Sequence, residues 1–190
     1  MNYTMSRIFA AMVLAGLVAT SATAEEVDLQ ALSYSPWNKT CLKGTCFVWS
    51  EGHSNLDCGS VVSTVLIERL GEPKKTLGVT LPLRVNTERG VRIIIDQGEP
   101  IERPYASCFA VGCRAEYEGG DDLVDQFKHG RILTLEAVDK ANSPITATVP
   151  LVGFADAYDG APQEPKVFET TQKKLQTELD ERKARCGTAK

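Results

Sequence analysis

The sequence predicts a mainly β fold, an antiparallel sandwich around one core, for this chain of 190 residues. Three observations carry that expectation. Short apolar runs with a period of two recur from Gly59 to Leu151, the pattern of strands with one buried face. Turn-forming residues separate them at Gly71-Glu72-Pro73, Glu88-Arg89-Gly90, Gly98-Glu99-Pro100 and Asn142-Ser143-Pro144. No strand-helix alternation of the kind that builds a parallel sheet is present.

The runs differ in character. Val61 to Ile67 and Val91 to Ile95 carry apolar residues on both faces and are expected to be central in a sheet. Leu77, Val79, Leu81 and Leu83 alternate with Gly78, Thr80 and Pro82. Pro82 has no ladder donor, so that strand is expected at an edge or a bulge. Leu133, Leu135 and Ala137 alternate with Thr134 and Glu136, and Ile145, Ala147, Val149 and Leu151 with Thr146, Thr148 and Pro150. One short helix interrupts the strands: Asp121 or Asp122 is its expected cap, Leu123, Val124 and Phe127 its apolar face, and Gly130 its stop.

A second helix is expected from about Pro165 to Cys186, before Gly187. Glu169 with Lys173, Glu178 with Arg182 and Glu181 with Arg185 are i,i+4 pairs in the favourable order. Its apolar stripe is thin, consisting of Phe168, Leu175, Leu179 and Cys186. The expectation is a charged helix, largely solvated and lightly pinned to the body.

The first residues read as a targeting segment. Arg7 supplies a positive n-region, Ile8 to Ala19 an apolar run, and Ala22-Thr23-Ala24 a small-residue cleavage site ending at Ala24. The run is too short to cross a bilayer, which takes about 20 apolar residues. The division is therefore a signal peptide over residues 1–24, a β-sandwich domain over 25–160 and a helical tail over 161–190. Without the leader the chain has 166 residues, no methionine and a formal charge of -5, since Arg7 is lost. A hydrophobic content of 43% with 24% charged residues argues against disorder and against a polytopic membrane protein. The acidic balance argues against a nucleic-acid partner, which a basic face would have to hold. The expected location is periplasmic, secreted or associated with the outer surface.

Cys41, Cys46, Cys58, Cys108, Cys113 and Cys186 form an even set, which in an exported chain reads as a disulfide framework. Two pairs share a four-residue spacing, each with a glycine (Gly44, Gly112) suited to a tight turn. Six cysteines allow 15 connectivities. The favoured set is Cys108 with Cys113 and Cys41 with Cys46, leaving Cys58 and Cys186 to tie the tail to the body. Cys46 with Cys58 and Cys41 with Cys186 stays open as the alternative. A zinc site, with His53 near the first cysteines, is disfavoured, because such sites need a reducing compartment to keep thiols free and the leader points to export. No Cys-x-x-Cys redox motif is present.

Few residues point to chemistry. His129 adjoins the end of the short helix, where a cation suits the dipole. His53 lies in Glu51-Gly52-His53-Ser54-Asn55, expected to be a turn; Ser54, His53 and Asp57 could form a triad only on paper. There is no Walker loop, dinucleotide fingerprint, nucleophile elbow or His-Glu-x-x-His. No carboxylate pair stands out for glycoside cleavage. Trp37 and Trp49 flank Cys41 and Cys46 and are expected in the core, packed against a disulfide.

In Trp37-Asn-Lys-Thr-Cys41, Val65-Leu-Ile-Glu68, Leu81-Pro-Leu83, Gly90-Val-Arg-Ile-Ile-Ile-Asp-Gln-Gly98, Pro104-Tyr-Ala-Ser-Cys-Phe-Ala-Val-Gly-Cys113, Leu151-Val-Gly-Phe154, Ala157-Tyr-Asp-Gly160 and Pro165-Lys-Val-Phe168, the chain resembles the invasion-associated locus B family of exported proteobacterial proteins. The resemblance implies an immunoglobulin-like β-sandwich in the bacterial envelope. It supplies no catalytic residue, no cofactor and no metal ligand. The expected role is therefore non-enzymatic: contact with a protein partner in the envelope or on a host cell, in adhesion or invasion. An envelope-polymer hydrolase and a periplasmic small-ligand module are the rival readings.

Overall fold

A computed structural model describes residues 29, 32–54, 61–163, 173, 174 and 177. The first stretch is β-structure that the period-two pattern did not announce. β1 (Leu32–Tyr34), β2 (Asn38–Leu42) and β3 (Thr45–Ser54) precede β4 (Val61–Arg69) and β5 (Lys75–Leu81). β6 (Val91–Ile95), β7 (Ile101–Arg103), β8 (Tyr105–Phe109) and β9 (Gly112–Gly119) follow. Helix α1 (Asp121–His129), strands β10 (Ile132–Val138) and β11 (Pro144–Pro150) and helix α2 (Phe154–Asp159) complete the body.

The strands form two antiparallel sheets. One has seven strands in the order β1-β3-β4-β5-β9-β8, with β2 also paired to β3; the other has four in the order β11-β10-β6-β7. The inner face of the larger sheet presents Val48, Val62, Leu66, Leu77, Val79, Leu81 and Ala115, all 2% exposed or less. The smaller sheet answers with Val91, Ile93, Leu133, Leu135, Ala147 and Val149, and these residues form one core cluster. Alternation puts the intervening side chains outside, so a single core lies between two faces, as a sandwich requires.

Most of the expected elements are present, with instructive differences. The strand ending at Leu81 is central, held between β4 and β9. It stops one residue before Pro82, whose missing donor therefore costs the ladder nothing; Leu83 is 46% exposed. β4 and β6 are interior strands as expected, although their outer faces are open enough to expose Arg92.

Glu51 to Ser54 form no turn. They continue β3 in register with β4 and β1, and Gly52 is required because the Tyr34 ring lies 2.5 Å from where a Cβ would stand.

Helix α1 buries Leu123, Val124 and Phe127 as expected, but its N-cap is Gly120. Asp122 Oδ1 accepts from the Gly120 N–H at 3.1 Å, while Asp121 reaches away to Lys75. Gly130 ends the helix in extended backbone, where a Cβ would strike the Gln126 carbonyl at 2.6 Å.

Helix α2 was not foreseen. It holds Phe154 in the core against Trp37 and Phe127, with ring centroids 5.1 Å away in both cases. Of the expected tail helix, Lys173, Lys174 and Thr177 fall among the described residues; all three are helical and exposed. The remainder of that segment and the leader with Ala24 lie outside them.

Candidate functional site

Two expected staples are formed. Cys41 and Cys46 are bonded, as are Cys108 and Cys113, each pair with Cα atoms 4.0 Å apart. This overturns the alternative connectivity, because Cys41 and Cys46 already hold each other. In both cases the cysteines stand directly opposite across a hairpin. The first hairpin turns through Lys43 and Gly44, with φ of 49° and 81°, the double left-handed geometry of a tight two-residue loop. Among the described residues no cysteine is free; Cys58 and Cys186 lie outside them.

The Cys108–Cys113 hairpin projects apolar side chains into solvent. Phe109 is 57% and Val111 66% exposed. Leu81 pairs with Cys113 at the end of β5, so the exposed Leu83 leaves the same end of the sheet.

The two tryptophans separate. Trp37 is buried as expected, edge to face with Phe127 and Phe154, and its indole N–H donates to the Pro150 carbonyl at 2.9 Å. Trp49 is not in the core. One strand position removed from buried Val48 and Ser50, it lies on the outer face of the larger sheet. There it lines an apolar groove of about 330 Å³ with Leu42, Phe47, Ser63 and Val65, and Glu51 at one end. The sequence signal was present, since Phe47 and Trp49 share a parity opposite to Val48 and Ser50.

Among the described residues the histidines gather no catalytic set. His53 Nε2 lies 3.9 Å from Glu51 Oε2. The Ser54 side chain and Asp57 lie outside the described residues. His129 Nδ1 sits 2.8 Å from the Asp125 carbonyl in the last turn of α1, the expected helix-terminal position.

Two polar clusters remain. On the outer face of the smaller sheet, Arg92 lies 3.6 Å from Glu102 and 2.6 Å from Glu136, within an open depression of about 580 Å³. Both acids engage the one guanidinium and are open to solvent. At the opposite edge of the core, Lys75 is 7% exposed and reaches Asp121 at 3.0 Å and Glu68 at 3.4 Å. Those hydrogen bonds, with Asp121 first, raise its pKa against the opposing effect of burial.

The Tyr158 hydroxyl donates to the same Glu68 at 3.2 Å, while Lys39 and Lys128 lie over its ring. Burial first, then the Glu68 carboxylate, pushes the phenol up to about 12. This network ties α2 to β4 through Glu68, and through Lys75 and Lys128 it joins β5 and helix α1. No cluster of three or more metal-ligating side chains occurs among the described residues, and no described helix is long and apolar enough to cross a membrane.

The family described as Invasion associated locus B (IalB) protein matches residues 37–162. The crystal structure of invasion associated protein B from Bartonella henselae superposes with a TM-score of 0.58 at 21% identity, over 67% of this chain and 92% of that one. At that identity the likeness shows the sandwich alone. No curated protein sequence matches.

Proposed function

This chain belongs to the invasion associated locus B family, and on that premise we propose that it is an exported, non-enzymatic envelope protein acting through protein–protein contact. The observation that carries this reading is the Cys108–Cys113 hairpin, which holds Phe109, at the end of β8, and Val111, in the two-residue loop, in solvent beside the cross-link. Apolar side chains on a rigid protrusion lose little conformational freedom when a partner covers them, which is what favours an anchor residue. The disulfides support an oxidising compartment. The part played in adhesion or invasion belongs to this same proposal.

Photo-crosslinking in the native envelope tests it. A photoreactive phenylalanine analogue at Phe109 or Val111 is expected to give a defined protein adduct. The same analogue at Val152, 80% exposed but distant in sequence, is expected to give none. Absence of an adduct from the hairpin, or equal labelling at Val152, overturns the reading.

A further inference from the structure

We propose that the free edge of β11 pairs antiparallel with the same strand of a second copy of this chain, joining two four-stranded sheets into one continuous sheet.

The backbone of β11 shows which groups are on offer. It is the outermost strand of the smaller sheet and pairs with β10 through all seven of its residues without a shift of register. Along an antiparallel strand, residues whose N–H and C=O face the partner alternate with residues whose groups face away. At one end of the pair the Asp139 N–H donates to the Ser143 carbonyl, and at the other the Leu151 N–H donates to the Arg131 carbonyl, both at 2.9 Å. Those bonds assign Ile145, Ala147 and Val149 to β10, so Pro144, Thr146, Thr148 and Pro150 turn their backbone groups to the free edge. The Trp37 indole agrees, since it reaches the Pro150 carbonyl at 2.9 Å from outside the sheet. Proline has no N–H. The edge therefore presents two donors, Thr146 and Thr148, between two ends that have none.

The order of residues identifies the occupant. Pro144-Ile145-Thr146-Ala147-Thr148-Val149-Pro150 reads the same in both directions except that isoleucine exchanges with valine. A two-fold axis at Ala147 sets proline opposite proline, threonine opposite threonine and isoleucine opposite valine, the self-matching that an isologous contact requires. Thr146 of each chain then exchanges both backbone bonds with Thr148 of the other, and every donor of the edge is used. The facing prolines leave no N–H unpaired. Threonine pairs across strands are favourable, and like charges across strands are not; no charged residue lies between Lys140 and Asp156. Ile145, Ala147 and Val149 stay in the core, 4% exposed or less.

The other edges are poorer templates. β1 and β7 have three residues each, and two of those in β7 are charged. β8 is irregular between Tyr105 and Ser107, and the Lys39 carbonyl of β2 already accepts the Gln163 N–H. A regular, uncharged edge is the kind that another strand extends.

The contact is separate from the Cys108–Cys113 hairpin on the larger sheet, so this dimer and crosslinking from Phe109 can fail independently. Strand pairing over about 20 Å buries little surface, and sedimentation of the oxidised mature chain is expected to show a monomer–dimer equilibrium between about 1 and 100 µM. Across that range the Thr146 and Thr148 amides should slow in hydrogen exchange by about tenfold, while Ala147, bonded to β10, is slow throughout. Thr146→Lys with Thr148→Lys sets like charges across the axis and should weaken the dimer about tenfold or more, whereas Thr146→Lys with Thr148→Glu sets opposite charges there and should retain it. A chain that stays monomeric through the range overturns the proposal. So does a dimer in which the Thr146 and Thr148 amides exchange freely, or one that both charge variants leave equally strong or equally weak.

Discussion

Trp37 and Phe154 meet edge to face, with ring centroids 5.1 Å apart and planes at 88°, so the first loop of the sheet and the last helix of the body close one aromatic corner. Phe127 completes it. Truncating a fully buried phenylalanine removes both transfer energy and packing. Phe154→Ala is expected to cost about 3–5 kcal/mol in urea unfolding. A cost near zero would show that α2 does not seal the core.

Three buried phenols predict an alkaline weak point. Burial raises the pKa of Tyr34 and Tyr105, the latter to about 12, and Tyr158 also lies at about 12. In the unfolded chain they ionise near the ordinary 10.0, so above that pH the unfolded state releases protons that the folded state retains. Their contribution is fully present below about pH 10 and is lost as pH rises toward about 12. Melting temperature should fall across that window, with phenolate absorbance at about 295 nm appearing together with unfolding. Phenolate formation in a chain that stays folded near the ordinary value would contradict the burial.

Two glycines with the same backbone sign should respond differently to alanine. Gly71 (φ 83°) has nothing within 4 Å of where a Cβ would stand, while at Gly90 (φ 69°) a Cβ would lie 2.4 Å from the Arg103 carbonyl oxygen. Gly71→Ala is expected to cost about 1–2 kcal/mol, the left-handed penalty alone. Gly90→Ala should cost more, because β7 has to move. Equal melting shifts would refute the steric difference.

Asp96 offers an acid-side test. Its Oδ1 accepts the N–H groups of Arg131 and Ile132, both at 3.0 Å, and those bonds hold the carboxyl below its ordinary range. The depressed pKa means stability that is present above the ordinary carboxylate range and lost as pH falls through the folded value. Asp96→Ala should lower the melting temperature at neutral pH, and its difference from the parent should shrink on acidification. A difference independent of pH would assign the effect to backbone strain at the positive φ of 51°.

The hairpin staple is measurable too. Closing so short a loop predicts about 2 kcal/mol from the Cys108–Cys113 bond. Cys108→Ser with Cys113→Ser should show that loss in denaturant unfolding and reduce crosslinking from Phe109. Full crosslinking without the bond would show that hairpin rigidity does not matter to contact.

Period-two alternation exposed β5, β10 and β11, and runs with apolar residues on both faces exposed β4 and β6, because strands packed on one core carry their burial pattern locally. The shared spacing of four residues located both hairpin disulfides. What escaped was the stretch from Leu32 to Ser54, where polar residues such as Asn38 and Glu51 sit on edge or outer-face positions and blur the alternation. The short α2 escaped too: six residues are barely two helical turns, and Phe154 is held there by aromatic contacts to residues far along the chain rather than by local propensity.

By itself the sequence pointed to the family, the β class, the spacing shared by both hairpin staples and the apolar face of α1, all of which depend on patterns a few residues long, while the choice of Cys41 with Cys46 over the rival pairing came from the structure. Only the tertiary structure decided that the strand before Pro82 is central, that Trp37 is core and Trp49 outward, and that Asp121 serves Lys75 instead of a helix end. Those outcomes depend on which strand lies beside which and on what stands across the core, and pairing between distant segments is set by the packing of the whole chain rather than by any local stretch of it.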